Sequence, residues 1–301
     1  VLVLAAAIAA APASAQTAAG GQQPSTGEEP SAPGNGEPAS GDEATVAAAA
    51  QVDPDLALNR AQPDFTLAAL PTTLRVPLYK SAFRVTHRFA RPLGEGDFGD
   101  LVGDLFGLDQ GALIGLEYRF GLVRGLQAGI HRTSDKTIQF LGQWNVRQQG
   151  EDVPFGFDLL VAVEGLDNFS EQYAPTIGAI VSRELGDRGA LYLEPLFVAN
   201  TSPAPGEAGD DNTFLIGLGA RIRLGATTYL FAEGSPRVSG FDPGVDQVSF
   251  GIEKRAGGHL FQLNFSNGLG TTFGQLARGG FKPSESDDWH IGFNISRKFF
   301  R

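Results

Sequence analysis

The sequence predicts an all-β fold, an antiparallel transmembrane outer-membrane β-barrel of about 12 strands, with a disordered N-terminal tail. Three observations predict it. From Lys80 onward, apolar and polar side chains alternate over segments of roughly ten residues, and the pattern recurs about twelve times. The connections between segments tend to be long and short in turn. After the first sixteen positions there is no run of about 18 apolar residues, so a membrane would be crossed by strands and not by a helix.

The first element, VLVLAAAIAAAPASAQ, is an apolar run ending in Ala13-Ser14-Ala15, a small-residue cleavage pattern. It reads as a signal peptide over residues 1–15, too short and too small-sided for an anchor. Residues 16–70 read as a low-complexity periplasmic segment. Its part up to about Asp53 is rich in Ala, Gly, Pro, Ser, Glu and Gln and buries too little apolar area to offset its ordering entropy. Residues 54–79 form a transition in which Pro63, Pro71 and Pro77 interrupt any regular element. The barrel domain spans 71–301.

Strand cores are predicted at 82–90, 112–120, 126–133, 137–147, 155–164, 175–183, 191–200, 213–224, 228–234, 247–254, 260–266 and 289–299. Ile114, Leu116, Tyr118 and Phe120 share a face opposite Gly115, Glu117 and Arg119. Phe214, Ile216, Leu218 and Ile222 likewise oppose Gly217, Gly219, Arg221 and Arg223. Two strands resist a clean assignment. In the first, His87 shares a face with Phe83, Val85 and Phe89. In the ninth, Glu233 shares one with Tyr229 and Phe231, which makes Leu230 and Ala232 the alternative lipid side.

Connections 91–111, 201–212 and 267–288 are long, whereas 121–125, 225–227 and 255–259 are short. This parity places both termini on the short-turn side, the periplasm. In loop 91–111, Phe98, Leu101, Val102, Leu105 and Phe106 follow helical spacing. That pattern suits a short helix packing on the barrel rim or, alternatively, a lid or partial plug over the lumen. The chain closes on Phe299-Phe300-Arg301, an amphipathic strand with terminal aromatics similar to the signal read by the barrel-assembly machinery.

Composition agrees with an exported barrel. Glycine is abundant at 40 residues and there are 22 Phe against 2 Trp; the absence of Cys excludes disulfides and thiol chemistry. The formal charge of −11 argues against nucleic acid as a partner.

The blocks Arg132–Phe140 (RTSDKTIQF), Gly244–Glu253 (GVDQVSFGIE), Phe261–Gly268 (FQLNFSNG) and Gly292–Phe300 (GFNISRKFF) resemble a bacterial family described only as a membrane-bound β-barrel domain. The resemblance runs from about Pro71 to Phe300. It implies the fold and the membrane, and it carries no established activity.

Chemistry is sparse. His87, His131, His259 and His290 are scattered, with no metal-ligand spacing, and no cofactor is expected. Ser266-Asn267-Gly268 is similar to the serine motif of outer-membrane phospholipase A, but the position of its histidine base is taken by Asn264. A lipid hydrolase at Ser266 is therefore a distant alternative to a non-enzymatic barrel. Lys136 beside Asp135 reads as a solvated turn pair. The better lead is a set of charges expected to line a pore: Arg84, Arg88, Glu117, Arg119, Arg147, Asp158, Glu164, Glu194, Arg221, Arg223 and Glu253. They suit either a narrow passive pore for small solutes or a closed scaffold barrel locked by Arg–Glu pairs. Expected partners are outer-membrane lipid, the assembly machinery through the last strand, and a periplasmic partner of the tail.

Overall fold

The computed structural model describes residues 53–150, 152–202, 212–242, 244–280 and 289–300. The expected signal peptide and most of the expected low-complexity tail lie outside the described residues. The strands are β1 Ser81–Phe89, β2 Ala112–Val123, β3 Leu126–Thr133, β4 Ile138–Arg147, β5 Gly156–Leu166, β6 Glu171–Glu184, β7 Gly189–Ala199, β8 Asn212–Arg223, β9 Thr228–Ser235, β10 Arg237–Ser239, β11 Gln247–Ala256, β12 His259–Ser266 and β13 His290–Phe299. Two short helices lie in connections, α1 Phe98–Gly103 and α2 Phe273–Arg278.

Apart from the short β10, each strand pairs antiparallel with the next around the barrel, β1 pairs with β13, and β9 pairs with both β8 and β11. The sheet is thus closed. β10 continues β9 beyond Pro236 and pairs with β8, so the barrel has twelve staves. Closure leaves no strand edge with unpaired backbone groups, which a wall in lipid requires. No helix among the described residues is long and apolar enough to cross a membrane.

The predicted strand cores and faces hold. Outward-facing Leu116, Tyr118, Trp144, Leu218 and Ile222 are exposed, and their inward neighbours Glu117, Gln143 and Arg221 are buried. In β9, Tyr229, Phe231 and Glu233 point inward and Leu230 outward, which settles the uncertain register. In β1 the inward set is Ala82, Arg84, Thr86 and Arg88. His87 therefore faces out, where its ring stacks on Phe293 with centroids 4.7 Å apart and leans on Phe89 at 4.5 Å.

The long loop after β1 does contain the predicted helix, α1, opened by Asp97 and Asp100 in a reciprocal cap. It buries no residue, and Phe98 is 75% exposed. The lid alternative for this loop is therefore corrected. None of the residues of α1 is buried, and residues 61–73 already occupy the lumen.

The larger correction concerns the segment expected to be disordered through Leu70. Every residue from 61 to 73 is buried inside the barrel. The chain enters at the short-turn end, where the backbone of Val76 and Pro77 lies against Gly121, so close that a Cβ on that glycine would sit 2.2 Å from the Pro77 carbonyl oxygen. It then forms a hairpin with Thr66 bridged to Pro71, Leu67 N donating to Leu70 O (2.8 Å) and Thr72 N to Phe65 O (2.8 Å). Composition misled here because this stretch gains its order from the barrel wall and not from its own sequence.

Leu218, at the middle of β8 on the outer face, tests the solvent on that side. Leu218→Arg is expected to cost about 2–4 kcal/mol in a bilayer, read as a shift in the denaturant midpoint, and far less at a strand end such as Val123.

Candidate functional site

The chemistry-bearing region is the lumen and the two elements that fill it. The hairpin turn, residues 67–70, is held by its backbone. The carboxylate of Glu233 accepts from three successive amides, Ala68 N (2.9 Å), Ala69 N (3.0 Å) and Leu70 N (3.1 Å). On the opposite side Ala68 O accepts from Arg84 Nη1 (3.0 Å), Asn294 Nδ2 (3.0 Å) and Arg88 Nη2 (3.4 Å). Arg221 donates to Thr66 O (2.7 Å), Gln262 to Leu67 O (3.1 Å) and Gln143 to Thr72 O (2.7 Å). Backbone groups removed from water must be paired, and here wall side chains replace a sheet ladder.

The plug's side chains find a complementary wall. Leu70 and Ala69 pack with Leu160, Leu196 and Leu215, the inward residues of β5, β7 and β8. Leu67 packs with Tyr192 and Phe231. Two inward glycines of β8 make the room. A Cβ on Gly219 would lie 2.3 Å from Leu67 Cδ1, and one on Gly217 would lie 3.0 Å from Leu70 Cδ2.

The second filler is α2, in the long loop before β13, and it enters from the opposite end. Phe273, Leu276 and Ala277 join the same apolar cluster as Leu70. Glu164 organises its first turn, accepting from Thr272 Oγ1 (2.5 Å) and Gly274 N (3.0 Å) and pairing with Arg278 (2.7 Å). A carboxylate at a helix N-terminus is favoured by the exposed amides there. Gln139 accepts from Phe273 N (2.8 Å), and Asp135 accepts from Gln275 Nε2 (3.0 Å). The Asp135 turn thus anchors the helix, while Lys136 pairs outward with Asp167 (3.0 Å) at an exposed position.

Of the residues expected to line a pore, Arg84, Arg88, Glu117, Arg119, Asp158, Glu164, Glu194, Arg221 and Glu253 are buried within the barrel. Arg147 is corrected. It follows a bulge at the end of β4 that breaks the alternation, and it is exposed. Arg223 sits at the short-turn end, bonded to Gly225 O and to Asp187. The buried charges are largely matched. Arg221 makes a two-point contact with Glu253 (2.7 and 2.8 Å), both side chains fully buried. Glu117 lies between Arg84 and Arg119, each at 2.5 Å, and Asp158 is held by the amides of Gln143 (2.6 Å) and Asn145 (2.5 Å). Among the described residues, neither carboxylate oxygen of Glu194 has a hydrogen-bond partner. Glu233, which holds the three amides of the plug's turn, is outside the expected set because alternation alone leaves the ninth strand's register open. Ser266 is buried against Ser249 (2.9 Å), and no cluster of metal-ligating side chains occurs among the described residues.

A closed sheet with an apolar outer belt, a charged and amide-rich inner wall and two self-supplied fillers defines a plugged membrane β-barrel. The chain belongs to the family described as membrane bound beta barrel domain (DUF5777), whose model matches residues 66–299 and so includes the tip of the plug. No curated protein matches the sequence. Among solved structures, the chain is similar to a NanC porin (7% identity, TM-score 0.48, covering 73% of this chain and 98% of that one). It is also similar to a KdgM porin solved in complex with disordered oligogalacturonate (5%, 0.42, 73% and 98%). A mutant porin of Rhodopseudomonas blastica matches at 11% identity and TM-score 0.33, with 62% of this chain and 55% of that one covered, so this chain spans about half its length.

The Arg221–Glu253 pair tests the electrostatics of the wall. Arg221→Leu strands a buried carboxylate and loses the bond to Thr66 O. It is expected to destabilise the barrel by about 3–5 kcal/mol in a denaturant titration, with Arg221→Leu/Glu253→Leu recovering part of the loss.

Proposed function

We propose that this chain is an outer-membrane, porin-like barrel, non-enzymatic and held closed by its own N-terminal segment, which passes small solutes only when that segment leaves the lumen. The observation that carries the reading is the hairpin of residues 61–73, buried across the lumen with its backbone bonded to the wall. The hairpin contributes no stave, so its departure leaves every ladder of the barrel intact. The wall behind it, with Arg84, Arg88, Glu117, Arg119 and Glu233, is a surface that water hydrates readily. The alternation of long and short connections supports reading both termini, and the plug's point of entry, as periplasmic. The closed scaffold remains the second reading, and one observation favours it: α2 fills the opposite end.

Planar-bilayer recording separates the two. The full chain is expected to insert, confirmed by heat-modifiable migration, and to show no steps. Leu67→Asp/Leu70→Asp, which puts two charges into apolar sockets, is expected to give discrete openings. Silence from an inserted double variant whose hairpin has become protease-accessible leaves the scaffold reading in place of passage.

A further inference from the structure

The contacts between wall and plug are of an uneven kind. Over residues 66–72, the wall's hydrogen bonds reach main-chain atoms: Glu233 takes three consecutive N–H groups, while Arg221, Gln262 and Gln143 donate to carbonyls, as does the trio Arg84, Arg88 and Asn294 on Ala68 O. Within this stretch side chains are read by shape, whereas the flanking Gln62, Asp64 and Thr73 meet Tyr192, Ser296 and Ser182 through side-chain hydrogen bonds. Leu67 and Leu70 fill two apolar sockets whose floors are Gly219 and Gly217, and between them Ala68 and Ala69 are buried at 0% and 5% exposure. No charged residue occurs from Phe65 to Leu74. A site that pairs peptide N–H and C=O groups in register, and supplies two apolar sockets three residues apart, is a receptor for a peptide backbone.

We infer that the emptied lumen is a binding site for short, uncharged peptides of the form apolar–small–small–apolar, and that the plug is its tethered occupant. The inference rests on the reading that the hairpin can leave. It adds the ligand class and locates the recognition in Glu233 and in the Gly217 and Gly219 sockets. With α2 in place at the other end, the emptied lumen is a cup that opens where the plug enters. Binding there requires no passage through the barrel.

The joint between plug and wall permits a direct test. Leu78 and Tyr79 are exposed, Tyr79 at 71%, and lie just before β1. A site-specific protease sequence inserted between them lets the full chain fold first and then turns the plug into a non-covalent ligand. The cleaved barrel is incubated with a fluorescent, end-blocked Thr-Leu-Ala-Ala-Leu-Pro peptide, and with the same peptide carrying Asp for both Leu. Release of the cleaved plug is followed by gel filtration and peptide binding by anisotropy, with bilayer current recorded in parallel.

The expected result is exchange of the plug for the Leu peptide, with binding weakened at least about tenfold by the Asp peptide or by Glu233→Ala in the wall. Plug release with new conductance, but with neither peptide bound or both bound equally, overturns the peptide site and leaves the gated-barrel reading standing. Peptide exchange without conductance supports the site and removes passage. A cleaved plug that never leaves overturns both. If the insertion blocks folding, the Leu67→Asp/Leu70→Asp chain takes the same two peptides, and failure to discriminate between them there counts equally against the inference.

Discussion

One constraint organises this molecule: a polypeptide backbone removed from water must have its N–H and C=O groups paired. The barrel wall meets it by closing on itself, β8 on β9 and β1 on β13. The plug meets the same demand without belonging to a sheet. Its turn is satisfied by carboxylate, guanidinium and amide side chains that strands on several sides project inward. This explains why the inner wall carries so many charged and amide groups in a lumen that holds little open space. They act in place of water toward the buried backbone.

Charge is handled by the same economy of partners. Arg221 with Glu253, and Arg84 and Arg119 around Glu117, are matched before the plug is counted, and each arginine except Arg119 also bonds the plug. Burying such pairs adds little net stability, because desolvation offsets most of their attraction. Their value lies in specificity, since a plug displaced by one residue would leave amides and carboxylates unpaired. The apolar half of the lumen, on β5 to β8, supplies the favourable burial that the polar half does not.

The two fillers are asymmetric. The N-terminal hairpin is joined covalently to the barrel through the residues leading into β1, and its other flank is held by hydrogen bonds from Asn59 and Gln62 to Glu184 and from Arg60 to Asp187, whereas α2 lies within a loop fixed by β12 and β13. Of the hairpin's contacts, water can take over the polar ones, whereas the apolar packing of Leu67 and Leu70 opposes its release. A helix anchored at both flanks, with Glu164, Gln139 and Asp135 on its first turns, is the more permanent closure. In the gated reading proposed above, the movable closure is therefore the one at the short-turn end of the barrel.

Strand positions were legible because alternation is local: each residue's face follows from its neighbours two positions away. The rim helix α1 was legible for the same reason. The plug was not, because its order comes from residues such as Glu233 and Asn294, more than 160 positions distant. A signal was present all the same. Leu160, Ile180, Leu196 and Leu215 are apolar on what alternation makes the inner face, which a water-filled lumen does not call for. The helix α2 carried its own mark in Thr272 and Gln275, a capping pair before an apolar run. By itself, then, the sequence determined the barrel, its strands and, except in β1 and β9, which side of each meets lipid, since these depend on a two-residue period. Only the tertiary structure decided that the lumen is filled, and with what, because that depends on matching distant side chains to a backbone whose own composition resembles a loop.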